Sequence, residues 1–146
     1  MFKIFTFSGR TSDTGNLFDS PGKPGFLSRL SEHDAFAAII DSYRLRIEDE
    51  YTFQGDAGGL YADEDPLPDF KRFLNEVEKC DDILPSWWNK TKRDDCIRLA
   101  LRGSEWSNIN CAVEKSDIIE HYKDSLMPMR LRMLAQRATG TKVGGF

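Results

Sequence analysis

The chain has 146 residues, 40% hydrophobic and 12% aromatic, which suits one domain closing one core rather than two. Charged residues make up 30% in mixed sign with a formal net charge of -4, so a general nucleic-acid binder, which carries a basic excess, is disfavoured. The opening MFKIFTFSGRTSDTG reads as neither a signal peptide nor a membrane span, and no later run reaches the roughly 18 apolar residues of a spanning helix, so no membrane association is expected.

Residues 1–30 read as a loop-rich arm. A short strand is expected at residues 2–7, followed by Gly, Ser, Pro and Asp text that ends in PGKPG. Phe2, Ile4, Phe5, Phe7, Phe18 and Phe26 make the arm too apolar for a free tail, so part of it should dock on the helices. The first helix should follow Ser31 as N-cap and run to about Glu50. Phe36, Ile39, Ile40, Tyr43 and Ile47 form its buried stripe, and Asp41, Arg44, Glu48 and Asp49 its solvated face. A loop should cover 52–66, pinned by Leu60 and Tyr61. A second helix should start at Pro68 or Asp69 and end near Asp81, with Phe70, Phe73, Leu74 and Val77 inward.

The connector ILPSWW places Trp87 and Trp88 at the join to a third helix. That helix should span about 89–102, with Cys96, Leu99 and Ala100 inward and Gly103 at its stop. A short helical segment is expected over Trp106, Ile109, Cys111, Ala112 and Val113. Another should be capped by Ser116 and Asp117 and carry Ile118, Ile119 and Tyr122. The last helix should begin after 125–128, use Met129, Leu131, Met133, Leu134, Ala135 and Ala138 for packing, and stop near Gly140, leaving 141–146 frayed. The fold class is therefore mainly α: an irregular multi-helix single domain over 31–140, preceded by the arm.

Chemistry is harder to place. Cys80, Cys96, Cys111 and His121 lack the short knuckles that preorganise zinc, and three cysteines fit reduced thiols in the cytoplasm or nucleus better than a disulfide framework. The acidic loop with Asp56, Asp63, Glu64 and Asp65 lacks the EF-hand order, and neither glycine-rich stretch makes a phosphate loop. No metal or cofactor is expected. Cys111, Asp117 and His121 contain the residue types of a nucleophilic site, but nothing local fixes their geometry. Glu120, His121 and Tyr122 are the catalytic candidates by type, since an imidazole titrates near neutrality, although neighbours at i and i+1 on a helix do not face each other.

The run from DAFAAIIDSYRLRIEDEY through DPLPDF, ILPSWW and VEKSDIIEHY to MPMRLRML resembles the helical region of filamentous-fungal proteins, some described as MYND-type zinc-finger proteins, over residues 34–140. The finger's closely spaced Cys pairs are absent, so its zinc and its peptide-binding role do not carry over. The resemblance implies a helical companion of a protein-binding unit. The expected function is a non-enzymatic protein-interaction or regulatory module with an unnamed protein partner, and self-association through the last helix is a further option. Trp87, Trp88, Trp106, Met127 and Met129 are the candidate contact residues, because aromatic and Met side chains dominate adaptable surfaces. The alternative is a small metabolite-acting enzyme using Asp, Glu, His and Tyr acid-base chemistry in a helical pocket.

Overall fold

The computed structural model describes residues 25–143. The strand expected at 2–7, the arm up to residue 24 and residues 144–146 of the expected frayed end lie outside the described residues; residues 141–143 are not frayed, since Arg46 donates to Thr141 and Val143 is buried. Five α-helices follow one another: α1 (Glu32–Asp49), α2 (Leu67–Glu78), α3 (Lys90–Leu101), α4 (Lys115–Tyr122) and α5 (Met127–Thr139), with no strand among the described residues. The last part of the expected arm is core: Phe26, Leu27 and Leu30, around a single 3-10 turn, are buried against α1.

Ser31 caps α1 as its residue type demands, its Oγ accepting the Asp34 N–H at 3.1 Å while Glu32 and Asp34 sit at the positive end of the helix. Of the solvated face expected on α1, only Glu48 keeps partial exposure. Asp41, Arg44 and Asp49 are buried together with the apolar stripe, because α1 is the central post on which α3 and α5 lean from different sides. Ala35, Ala37 and Ala38 are buried along it, and its buried polar groups are bonded, Asp41 to Arg44, Ser42 to Leu131 O and Asp49 to Arg132. The helix then widens into a π turn, Glu50–Gln54, where a loop was expected, and stops at Gly55, whose φ of 75° closes the turn in the left-handed region. Beyond it Tyr61 stacks on Tyr51 at 4.1 Å and donates to Glu48, which pins the loop as expected.

In α2, Phe70, Phe73, Leu74 and Val77 are buried at the expected spacing, each side chain contributing about 2 kcal/mol of apolar burial. The helix ends at Glu78, before the expected Asp81. Asp82 is held instead by Arg137 of α5, and Ile83 is drawn into the core. In α3, Asn89 caps by accepting the Lys92 N–H at 2.9 Å, and Cys96, Leu99 and Ala100 face inward. Gly103 makes no left-handed stop. Side chain and backbone from farther on do that work: Asn108 Nδ2 donates to Arg102 O and Ile109 N–H donates to Ala100 O.

The segment expected to be helical around Trp106 to Val113 is a run of turns. Asn108 Oδ1 accepts the Asn110 N–H, a local bond that competes with helix, and Ile109 and Val113 alone of its aliphatic side chains are buried. Cys111 and Ala112, expected inward, are exposed. The cap of α4 also differs: Glu114 and Asp117 form a reciprocal capping box, so Ser116 has no capping role. Pro128 sits in the first turn of α5 and Gly140, at φ 78°, ends it. The seam between α1 and α5 is stitched by polar groups, with Ser42 Oγ donating to Leu131 O at 2.8 Å and Arg132 forking onto Asp49 at 3.0 Å through two nitrogens.

Candidate functional site

Two regions concentrate the side chains that sequence reasoning singles out. The first lies where α1, the 102–114 connector and α4 meet. Asp41 is fully buried and receives four donors: Arg44 Nε at 3.2 Å and Nη2 at 2.9 Å on Oδ1, and Ser107 Oγ at 3.0 Å and the Tyr122 hydroxyl on Oδ2. The third arm of Arg44 donates to Cys111 O at 3.0 Å. A buried carboxylate beside a buried guanidinium is tolerable only when both are this fully bonded. The Arg44 guanidinium also lies over the Trp106 ring, 4.6 Å from its centroid, and the His121 imidazole stacks on the same indole at 3.7 Å with the planes 1° apart.

The electrostatics follow from burial. The Tyr122 hydroxyl is pushed well above its ordinary range, first by desolvation and then by the Asp41 charge it faces. Desolvation pulls His121 the other way, below its ordinary 6.5, aided by Arg44 and Lys123 and opposed by Asp41. A carboxylate, a tyrosine and a histidine therefore do converge, but Tyr122 donates its proton to Asp41 and the Asp41 oxygens are taken. Only His121 is half-exposed, and Glu120 points to solvent one residue away. The other nucleophilic trio is not assembled either, because Asp117 is held in the capping box and Arg44 uses the carbonyl of Cys111 rather than its thiol. No three His, Cys, Asp or Glu side chains gather in a metal-holding group among the described residues.

Trp87 and Trp88 are half-buried and grip Phe36 of α1 edge-on, with ring centroids 5.8 and 6.0 Å apart. Trp88 Nε1 donates to Glu78 at 2.8 Å, and Glu78 also holds Arg93. The pair is thus a clasp joining α2 and α3 to α1.

The second region is the surface of α5. Met127 is fully buried, so it is corrected from contact residue to core residue; the helix phase turns it inward and Met129 outward. Met129 and Leu126 are 51% and 49% exposed. Beside them Pro128, Met129 and Met133 form the apolar lining of a groove of about 320 Å³, with Lys115 from α4 and Arg132 and Gln136 from α5 along its sides. A second groove, of about 360 Å³, lies over Tyr43 and Phe73. Its charges answer one another: Tyr43 and Arg72 both donate to Asp69, and Arg46 donates to Glu50. The sequence contains no periodic signal for the Asp41–Arg44–Ser107–Tyr122 network, whose partners lie up to 81 residues apart. Its one local trace is the Asp-x-x-Arg spacing on α1.

No helix among the described residues is long and apolar enough to cross a membrane. Comparisons with protein-family models, with curated proteins and with solved structures each find no match.

Proposed function

We propose that this chain is a non-enzymatic protein-interaction module that seats an apolar anchor of a partner in the α4–α5 groove. The observation that carries this reading is the exposure of Met129 in a groove lined also by Pro128 and Met133, with exposed Leu126 three residues before it in the chain. Unbranched Met side chains repack around different shapes, and a single leucine or phenylalanine moved from water into such a groove contributes about 2 kcal/mol. The occupant is a short segment with one such anchor flanked by acidic residues. The lining contains no carboxylate, although the whole chain is acidic; of its two cations Arg132 is already held by Asp49, so exposed Lys115 supplies the preference. Each flanking carboxylate adds about 0.2–1 kcal/mol, which places the interaction among weak, reversible ones. Acid-base catalysis is the weaker reading, because the convergent carboxylate and hydroxyl are mutually consumed.

Methionine methyl NMR on the full chain tests it. The probe is a synthetic peptide of about twelve residues carrying a central leucine between glutamates, with a lysine-flanked twin for comparison. The Met129 and Met133 methyl signals should move with the acidic peptide while buried Met127 stays still, and Lys115→Glu should weaken the response several-fold. Equal response to the lysine-flanked twin would overturn the acidic chemistry; no response to either would overturn the groove.

A further inference from the structure

The Trp106 indole carries two groups that cannot both be charged at no cost. Arg44 lies over the ring and is not free to retreat, because Asp41 holds two of its nitrogens and Cys111 O holds a third. His121 stacks flat on the ring, half-buried, at the end of α4. As a neutral imidazole it is an uncharged flat ring against an indole, favourable on dispersion. As an imidazolium it becomes a second cation on one ring, with Lys123 also close by.

The surrounding charges do not rescue the imidazolium. From α1, Asp41 faces it, but that carboxylate is committed to Arg44, Ser107 and Tyr122. From the connector, Glu105 stands one residue before Trp106 and is shared by Arg102 and His33, at 3.8 and 3.6 Å. Of its own helix, Glu120 projects to solvent and Tyr122 stays protonated. What the stack holds in place is specific. The connector is tied to α3 by the Ile109 N–H on Ala100 O and to α1 by Ser107, and the stack joins the residue before Ser107 to the residue before Tyr122, whose hydroxyls meet on the same Asp41 oxygen.

We infer that the Trp106–His121 stack is an acid-released latch: protonation of His121 expels the imidazolium from the indole and frees the connector between α3 and α4 from α1. The lowered proton affinity of His121 agrees with a folded state that resists this protonation. The latch is independent of the groove on α5, so either can fail without the other.

Amide hydrogen exchange, followed by NMR between pH 7.5 and 5 and corrected for intrinsic rates, reads it directly on the full chain. Protection at Ile109 and Cys111 should fall on the order of ten-fold or more, with a midpoint matching the His121 ring titration. His121→Phe keeps a flat ring on Trp106 and removes the proton, so its connector should stay protected at both ends of the range. His33→Gln should behave like the parent. The proposal is overturned if the parent connector stays protected through the His121 titration, or if His121→Phe loses protection with the same midpoint. Were His121→Phe to misfold, the parent alone decides, by whether the Trp106 indole signal and the Ile109 protection titrate together with His121.

Discussion

Replacing Asp41 by alanine should be the most damaging single change in the polar interior. It strands a guanidinium that is 2% exposed and leaves the hydroxyls of Ser107 and Tyr122 without their acceptor. Arg44 would keep the Cys111 carbonyl and the Trp106 face, but its charge would be uncompensated. Breaking a buried pair from one side costs about 3–5 kcal/mol, a large share of the 5–15 kcal/mol typical of a domain. At about 3 °C per kcal/mol the melting temperature should fall by roughly 10 °C. Urea unfolding by circular dichroism, repeated with Asp41→Leu/Arg44→Met, separates net charge-pair stability from the penalty of an orphaned charge. The double variant should recover the share due to the stranded charge, because two apolar side chains of similar length remove both charges together, while the Ser107 hydroxyl still lacks its acceptor. A loss below about 1 kcal/mol for Asp41→Ala would refute the reading of this network as a closed, mutually dependent unit.

Three further outcomes follow from local geometry. Gly59→Ala should cost about 2 kcal/mol or more: its φ is 51°, and a Cβ there would stand 2.8 Å from the Tyr43 hydroxyl, which thermal unfolding would register. Ultraviolet titration should show Tyr61 ionising late, held up to about 12 chiefly by its bond to Glu48. Tyr43 and Tyr122, raised mainly by burial, should ionise only on unfolding. Because these folded-state values lie above the unfolded 10, the stability they contribute is intact below pH 10 and is lost as pH rises beyond it. Thiol titration of the native protein should find Cys111 fast and Cys80 slow, since burial raises the latter. Cys96, fully buried and raised further, should react only in denaturant.

The sequence was readable where one helix face does one job. Phe70, Phe73, Leu74 and Val77 recur at three and four residues because α2 has a single covered side, and Ser31 and Asn89 cap because a short polar side chain just before a helix has little else to do. The same rule misreads α1. A helix covered from several sides must bury its charges, and Asp41 and Arg44 look solvated until Ser107, Cys111 and Tyr122 arrive from elsewhere in the chain. The connector after α3 misleads for a related reason: Ile109 and Val113 have helical spacing, but their backbone is held by Asn108 and by bonds to α3 and α1. At the contact surface, residue type alone did not separate Met127 from Met129. One step of helix phase does, burying the first and exposing the second.

The most direct test of the interaction reading is quantitative capture of partners from the protein's own cell extract. It would compare the parent with Leu126→Ser/Met129→Ser and with Trp106→Ala, each first shown to be folded. Both residues of the double variant are about half-exposed, so the exchange should leave the fold intact while removing the apolar anchor surface. A protein partner recovered by the parent and by Trp106→Ala, but reduced at least several-fold with the double variant, is the expected result. Equal recovery by the parent and the double variant would contradict the assignment of this surface as the docking site.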